Sequence, residues 1–267
     1  MESVLFPIAI LSGAGGEAPV PRAFGATDAE LRRLEPVLYP GWKRYVDEDF
    51  SADWLIDDLA AAIARRAAGG KVGVVGISLG GHLGYAVALR LQEMGVDIAG
   101  FCAIDSFMVS SDAAKPGWRG RFVGRVVALL RSRSFGELAV FLRLMSWRGL
   151  IRLFGASAPA LLRQLRDYRG LSVALAFDPI LEKEVTLRLL LREIAPWLAR
   201  LDRQPTALSV PATHLRSRHT EGDDLSWRRR CPNMKFVEIA GDHETLFESE
   251  TVDAFRAAFL QATRGWN

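Results

Sequence analysis

The hydrophobic pattern of this chain alternates between short apolar runs and longer segments with helical spacing. Apolar runs of the length that forms buried parallel strands predict six strands, at residues 4–11, 37–39, 71–77, 97–104, 207–216 and 235–240. Helical spacing predicts helices at 51–67, 79–94 and 248–263, and Thr27-Asp28-Ala29-Glu30 predicts a capping box for a short helix that ends before Pro36. Strands that alternate with helices are typical of a doubly wound, mostly parallel sheet with helices on both faces.

The alternation is interrupted over residues 107–201, where the spacing is helical throughout. We therefore expect an α/β core in two parts, residues 1–106 and 202–267. Residues 107–201 are expected to form a helical lid inserted between them.

The composition fits such a folded chain, since 49% of its 267 residues are apolar, 24% are charged and the formal net charge is +3. These values exclude a disordered or low-complexity protein. Cys102 and Cys231 are too few for a disulfide framework or a four-cysteine zinc site, and the chain start lacks a signal-peptide pattern, so a cytoplasmic location is expected. Residues 72–89 lack Asp, Glu, Lys and Arg, but their five glycines favour a tight strand–turn–helix over a membrane span.

The sequence Gly76-Ile77-Ser78-Leu79-Gly80 has the G-x-S-x-G spacing, with a β-branched strand before it and a helix after it. A sharp strand-to-helix turn strains the serine backbone and brings neighbouring chain so close that only glycine fits at the flanking positions. Such a nucleophile elbow presents the serine hydroxyl at the carboxyl end of the sheet. The pattern predicts that Ser78 is a nucleophile, and the alternative is a glycine-rich turn that only packs a helix on the sheet.

A serine nucleophile needs a general base, and the chain has four histidines to supply it. His82 lies four residues after Ser78 on the same helix, which favours a packing role. His214 lies inside a predicted strand and His219 just after it. His243 follows the last strand directly, at the same sheet edge as the elbow, so we predict that His243 is the base; the alternative is a surface-loop histidine.

The acid that orients the histidine has two candidate locations. Asp105 ends the apolar strand 97–104 at the sheet edge that carries Ser78. Asp223 and Asp224 follow the strand 207–216, and they also fit an N-cap pair for the segment that contains Trp227. We favour Asp105, because an acid that directly follows a buried strand is hard to explain as a solvated loop residue.

Two backbone N–H groups are expected to stabilise the oxyanion of the reaction. Leu79 supplies one, because it opens the helix after Ser78. The glycine-rich loop 12–16 after the first strand supplies the other, and Ala14 is the predicted donor by position. For Ala14 in particular, a place in an ordinary glycine-rich strand–helix turn is the alternative.

Several stretches of the chain resemble the thioesterase domains of nonribosomal peptide and polyketide synthases, which are α/β-hydrolases. They are the Gly76-x-Ser78-x-Gly80-Gly81 motif, the helix 85–91, the strand end Ile104-Asp105-Ser106, the Tyr39-Pro40-Gly41 stretch, the Ala14-Gly15-Gly16 loop, and Gly241-Asp242-His243 with the following Leu246-Phe247. The resemblance covers the predicted sheet, and the helical block corresponds in position to the lid of the family. The chain departs from the pattern at Ile77, where many members have His or Tyr, and at Ser12-Gly13, where they have prolines; both departures bear on substrate preference.

The resemblance implies a function for each predicted residue. Ser78 would accept the acyl group, His243 would be the base, Asp105 the orienting acid, and Leu79 and Ala14 the oxyanion donors. The enzyme would need no cofactor or metal, since the phosphopantetheine belongs to the substrate, and its partner would be an acyl or peptidyl carrier protein. A carboxylesterase or lipase, an acyl-CoA thioesterase and a non-catalytic carrier-binding relative remain alternatives. Because no carrier domain is visible, both a free-standing enzyme and a domain of a larger synthase stay open.

Charge is unevenly distributed along the chain. Residues 112–172 contain twelve basic and three acidic side chains, a net charge of +9, so the rest of the chain carries −6. Amphipathic lid helices with solvated arginines explain this pattern, and so does a basic surface that binds an acidic carrier protein. Membrane-surface contact is the least favoured alternative, and no nucleic-acid module is present. The oligomeric state is left open.

Overall fold

The computed structural model of the protein describes residues 6–14, 23–25, 27, 30–31, 33–107, 118–154, 157–167, 179–203, 205–217, 224–243 and 245–266. The chain divides into two compact units. The first comprises Met1–Tyr39, Ser51–Met108 and Pro196–Asn267, and the second comprises Pro40–Phe50 and Val109–Ala195. The predicted division after residues 106 and 201 stays a prediction.

The first unit is built on a six-stranded sheet in which all neighbouring strands are parallel. In chain order the strands are β1 Ile8–Leu11, β2 Leu34–Val37, β3 Lys71–Ile77, β4 Asp97–Ile104, β5 Ala212–Ser217 and β6 Met234–Ile239. They lie side by side in the order β2-β1-β3-β4-β5-β6. Because parallel strands all end at the same edge of a sheet, the residues that follow β3, β4, β5 and β6 share one edge. The predicted parallel α/β sheet is confirmed.

Helices follow the strands as the sequence predicts, and the described helices longer than three residues number nine. In chain order they are α1 Trp42–Tyr45, α2 Ala52–Ala67, α3 Leu79–Glu93, α4 Trp118–Arg131, α5 Phe135–Phe154, α6 Ala158–Asp167, α7 Pro179–Arg203, α8 Asp224–Arg230 and α9 Val252–Thr263. Ser51 caps α2, because its side chain accepts a hydrogen bond from the Trp54 N–H at 3.0 Å. The predicted capping box is confirmed by two reciprocal hydrogen bonds between Thr27 and Glu30.

The two central strands, β3 and β4, have the predicted bounds. Each is flanked by a strand on both sides, and nearly every residue of each is buried. A strand in this position needs a continuous apolar run instead of an alternating one. These two strands were therefore the easiest to predict.

The other four strands differ from their predicted bounds. Strand β1 is Ile8–Leu11 instead of 4–11 and β6 is shifted by one residue, while prolines explain the differences in β2 and β5. Strand β2 occupies Leu34–Val37, instead of 37–39, and it includes Pro36 where the sequence indicated a helix end. Pro36 lacks an N–H, and β2 tolerates it because β2 is an edge strand. Strand β5 begins at Ala212, five residues later than predicted, directly after Pro211.

Close packing of the chain end explains two glycines in the sheet. The indole of Trp266 is buried, and a Cβ at Gly100 would lie 2.2 Å from its Nε1 atom. A Cβ at Gly73 would lie 2.5 Å from the six-membered ring of the same side chain. Both distances are far below van der Waals contact, so the two glycines form the space in which Trp266 packs.

Ion pairs hold the second unit together where Pro40–Phe50 joins it. Arg166 of α6 pairs with Asp47, and Arg163 of the same helix pairs with Glu48. Arg44 of α1 contacts Asp47 at 3.0 Å and Asp49 at 2.8 Å. The acidic stretch 47–49 is thereby matched by arginines of its own unit.

The buried carboxylate of Glu184 provides a second charged link inside this unit. It lies on α7 and accepts hydrogen bonds from Arg148 of α5 at 2.9 Å and from Arg188 of α7 at 2.6 Å. Two guanidinium groups compensate the cost of burying this charge.

Among the described helices, none combines the length and the apolar character that a membrane crossing requires. The uncharged run at 72–89 instead forms β3 and the first part of α3, as the glycine pattern indicates.

Candidate active site

Ser78 lies in a strained turn between β3 and α3. Its φ of 54° and ψ of −120° place it in a backbone region that L residues rarely adopt. Its N–H donates a hydrogen bond of 2.7 Å to the carbonyl of Ile104, at the end of the neighbouring strand β4. Such strain persists only where the surroundings hold it, and here it presents the serine at the carboxyl edge of the sheet.

The glycines around Ser78 make this turn possible. A Cβ at Gly76 would lie 2.0 Å from the carbonyl oxygen of Gly80, and a Cβ at Gly80 would lie 2.3 Å from that of Ser12. A Cβ at Gly81 would lie 2.0 Å from Oγ of Ser106. Since no side chain fits at these three positions, the elbow depends on glycine for close packing.

Asp105 follows β4 at the same edge, and its side chain is fully buried. Its two carboxylate oxygens have different partners. Oδ1 accepts hydrogen bonds from the N–H of Ser217 at 3.0 Å and from its hydroxyl at 2.8 Å. Oδ2 lies 2.6 Å from Nδ1 of His243. A carboxylate held in this way can fix the histidine in the tautomer whose other nitrogen, Nε2, accepts a proton.

The loop after β6 carries His243, and local hydrogen bonds shape this loop. The N–H of Thr245 donates to the carboxylate of Asp242, and the N–H of Asp242 donates to the Thr245 hydroxyl. Gly241 has a φ of 92°, which favours glycine. The ring of Phe107 packs edge-to-face on the imidazole of His243, with 5.4 Å between ring centroids. These contacts orient the imidazole toward Asp105.

The first loop of the sheet lies beside Ser78. A Cβ at Gly13 would lie 3.5 Å from Cβ of Ser78. The hydroxyl of Tyr39 donates a hydrogen bond of 2.6 Å to the carbonyl of Ser12 and so anchors the loop. Ala14 lies in the turn that follows, and Leu79 is the first residue of α3. Gly15 and Gly16, the end of the predicted oxyanion loop, lie outside the described residues.

Asp223 and Asp224 are the two alternatives to Asp105 as the acid that orients His243. The carboxylate of Asp224 binds Arg216 through contacts of 2.8 and 3.0 Å, and it lies in the first turn of α8. Asp223 lies outside the described residues. The structure therefore brings Asp105, and not Asp224, into contact with His243.

The other histidines are buried or lie outside the described residues, as His219 does. Nδ1 of His82 lies 2.7 Å from a guanidinium nitrogen of Arg230, and its ring stacks on Trp227. Burial, reinforced by the Arg230 charge, lowers the pKa of His82 to about 3. Burial also lowers the pKa of His214 to about 4. Both imidazoles are therefore neutral near pH 7.

Sequence reasoning missed the groups that hold Asp105, Ser106 and His82 in place. Ser217 of β5 donates a hydrogen bond to Asp105, and Trp227 of α8 donates one to the carbonyl of Ser106. Arg230 of α8 contacts His82 and forms a salt bridge with Asp202. No sequence signal could have found Ser217, because its contact depends on how β4 and β5 align. Within the described ranges, no three His, Cys, Asp or Glu side chains gather as metal ligands would.

One family model covers most of the chain. The model described as the alpha/beta hydrolase family matches residues 11–258. The chain belongs to the alpha/beta hydrolase family. The predicted fold class is confirmed, and membership supports a hydrolase.

Solved thioesterase domains share the fold of this alpha/beta hydrolase. The Vlm2 thioesterase domain bound with a dodecadepsipeptide is 17% identical, with a TM-score of 0.55 and coverage of 96% of this chain and 92% of its own. The NocB thioesterase domain in covalent complex with a fluorophosphonate nocardicin G analogue is also 17% identical, with a TM-score of 0.56 and coverage of 96% and 94%. The predicted resemblance to thioesterase domains of this kind is confirmed by these structures, which at this identity show a shared fold.

Two much longer proteins are also similar to this hydrolase. The four-domain nonribosomal peptide synthetase AB3403 matches with 14% identity and a TM-score of 0.57, over 96% of this chain and 19% of its own. The AMB antimetabolite synthetase AmbE of Pseudomonas aeruginosa is 28% identical over 247 residues, which are 87% of this chain. The chain spans only 10% of the length of AmbE.

Proposed function

We propose that this hydrolase is a thioesterase that releases an acyl, polyketide or peptidyl chain from the phosphopantetheine thioester of a carrier protein. The observation that carries the proposal is the contact of 2.6 Å between Nδ1 of His243 and Oδ2 of Asp105, at the sheet edge that presents Ser78. A serine on an elbow, a histidine and a buried acid are the parts of an acyl-transfer triad.

In the first half of the proposed reaction, Nε2 of His243 takes the hydroxyl proton as Ser78 Oγ attacks the thioester carbon. The backbone N–H groups of Leu79 and Ala14 stabilise the oxyanion that forms. The carbon–sulfur bond then breaks, and the leaving thiolate takes the proton from His243. The product of this half-reaction is an acyl ester on Ser78.

In the second half, water or a nucleophile within the acyl chain attacks the ester of Ser78. His243 removes a proton from the attacking group and returns one to Ser78 as the ester bond breaks. Asp105 remains ionised throughout and stabilises the imidazolium, while the two hydrogen bonds from Ser217 keep its carboxylate in place.

Similarity to synthetases supports a carrier protein as the partner. Both AmbE and AB3403 are synthetases, and each is far longer than this chain. Several basic side chains of the second unit already have acidic partners there, namely Arg148, Arg163 and Arg166. Arg131 and Arg133, at the end of α4, are solvent-exposed and are our candidates for contact with an acidic carrier.

The substrate is tested with matched thioesters. Hydrolysis of an acyl chain on a carrier protein, on free pantetheine, on CoA and as an oxygen ester is compared. We expect the highest kcat/KM for the carrier-bound thioester, with loss of preference in a charge-reversed Arg131→Glu, Arg133→Glu variant. That variant should hydrolyse acyl-pantetheine normally. A higher kcat/KM for oxygen esters would favour a carboxylesterase, and a higher value for the CoA ester would favour an acyl-CoA thioesterase.

A further inference from the structure

The backbone of Asp105 is left-handed, with a φ of 46°. A residue with a Cβ rarely adopts this conformation, and it persists only where neighbouring groups determine it. The conformation decides where the carboxylate points after β4 ends. The groups that hold the peptide on either side of Asp105 therefore control its approach to His243.

Three hydrogen bonds hold this turn from neighbouring elements. The N–H of Asp105 donates to the carbonyl of Leu215 on β5 at 2.7 Å. The carbonyl of Ser106 accepts from Nε1 of Trp227 on α8 at 2.7 Å. The N–H of Ser106, which belongs to the peptide directly after Asp105, donates to Nε2 of His214 at 3.2 Å. Of these three partners, only His214 uses a titratable side chain.

The hydrogen bond from Ser106 fixes the protonation state of His214. Because Nε2 accepts a backbone N–H, the ring is neutral and its proton lies on Nδ1. That Nδ1 atom is buried and has no hydrogen-bond partner among the described residues. A buried N–H without a hydrogen-bond partner is unfavourable. The imidazole therefore adopts a tautomer in which Nε2 accepts the hydrogen bond from Ser106 while the N–H at Nδ1 is left without a partner among the described residues.

Charged groups near His214 have opposing effects. Burial is the largest influence on it and lowers its pKa to about 4, while the carboxylates of Asp105 and Asp224 raise this pKa and Arg216 lowers it. His82 lies close enough for the two imidazoles to interact electrostatically. If Nε2 were protonated, it could no longer accept the hydrogen bond from Ser106. Two N–H groups, one on His214 and one on Ser106, would then face each other.

We infer that His214 is a positioning residue of the triad. As a neutral acceptor for the Ser106 N–H, it holds Asp105 in the left-handed conformation that directs Oδ2 to His243. The inference rests on the proposed function, since it assumes that Asp105 and His243 take part in the reaction. The simpler explanation is that His214 only fills space between Trp227 and Phe236, whose ring centroids lie 5.5 and 5.8 Å from its own.

Two substitutions separate these explanations. In His214→Gln the amide oxygen can replace Nε2 as an acceptor, whereas His214→Leu keeps apolar bulk without one. For the Leu variant we expect kcat on the thioester to fall by about 10- to 100-fold with little change in KM, because the acid is misplaced. The acid limb of its pH–rate profile should move to lower pH, since a misdirected carboxylate no longer favours a charged His243. The Gln variant should recover most of kcat and the wild-type pH profile.

Equal loss of kcat in both variants, or a less stable Leu variant with an unchanged pH profile, would overturn the inference. A third measurement needs no substitution. Nitrogen-15 NMR of the wild-type imidazoles should show that Nδ1 of His214 is protonated and that Nε2 is an acceptor; the opposite tautomer would also overturn it. If the wild-type protein hydrolyses no ester or thioester, the proposed function fails, while the tautomer measurement still decides whether His214 holds the Ser106 peptide.

Discussion

Ser217 donates two hydrogen bonds to a single carboxylate oxygen of Asp105, one from its backbone N–H and one from its hydroxyl. The other carboxylate oxygen of Asp105 is thereby left to face His243. The acid is thus held by β5, the strand next to the one that it follows. A buried carboxylate with both oxygens bonded has one well-defined direction, which an orienting acid needs.

Replacement of Ser217 by Ala should weaken this arrangement without removing it. The backbone N–H remains, but a buried hydrogen bond to a charged group is lost, with a cost of about 1.5–3 kcal/mol in the free energy of unfolding. We expect kcat to fall by about tenfold, because the carboxylate can then turn from His243. Urea unfolding and steady-state kinetics measure the two effects. Ser217→Thr keeps the hydroxyl and is the control; if it loses as much activity as Ser217→Ala, the hydroxyl is not the cause.

Replacement of Asp105 by Asn tests the choice of acid. An amide in this buried position cannot stabilise the imidazolium of His243, so we expect kcat to fall by about 10³- to 10⁴-fold. Asp224→Asn is the matched control, since it changes an acid that pairs with Arg216. It should change kcat by less than about threefold, in line with the small contribution of partly exposed ion pairs. The reverse ranking of the two variants would show that the acid is wrongly assigned.

Substitution of Gly80 by Ala should disrupt the elbow, because the added Cβ would lie 2.3 Å from the Ser12 carbonyl oxygen. The backbone on both sides cannot yield to so close a contact, so we expect loss of activity together with a lower unfolding temperature. Gly84→Ala, on the same helix, would place its Cβ no closer than 3.4 Å to another atom and should be tolerated. Thermal unfolding compares the two. A Gly80→Ala variant as stable and active as Gly84→Ala would contradict the packing described for the turn.

Buried neutral histidines make the stability of the fold depend on pH. The pKa of His82 is lowered to about 3 and that of His214 to about 4, whereas an unfolded histidine has a pKa of about 6.5. Between these pH values the unfolded chain binds more protons than the folded chain does, so a fall in pH favours unfolding. The free energy of unfolding is therefore unaffected by protonation of these histidines above about pH 6.5 and decreases as the pH falls below it. Each histidine should lower the free energy of unfolding by about 1.4 kcal/mol per pH unit in that range.

Urea unfolding at pH 7 and pH 5.5 tests this expectation. His214→Gln removes one of the two groups and should reduce the pH dependence, whereas a substitution of an exposed residue such as Arg133→Gln should not. A stability that is constant over this range would contradict burial of neutral imidazoles.

The parts of the site that are local in sequence could be predicted. The elbow can be predicted because its glycines, the strand before it and the helix after it are contiguous in the sequence. Strands β3 and β4 can be predicted because strands that are buried on both faces are continuous apolar runs. The sequence predicts Asp105 and His243 as acid and base because each follows a strand of one parallel sheet. In the structure the two side chains lie in contact, and their catalytic roles stay predictions.

The supporting groups could not be predicted, because they depend on contacts between distant segments. Ser217 and Asp105 are 112 residues apart, and only the alignment of β4 with β5 brings them together. The sequence places His214 in a strand, but nothing in it indicates that Nε2 of His214 accepts a hydrogen bond from the Ser106 N–H. The assignment of Pro40–Phe50 to the second unit has a similar origin, because ion pairs with α6 connect it there.

Covalent labelling of Ser78, in which its Oγ displaces fluoride from a phosphonate, tests the central claim most directly. The protein is incubated with a fluorophosphonate analogue of an acyl-pantetheine thioester, and the adduct is located by mass spectrometry of the intact chain and of its peptides. The account predicts one adduct per chain, on Ser78, and strongly reduced labelling of Asp105→Asn and His243→Ala variants. The absence of an adduct, or an adduct on another residue, would contradict it.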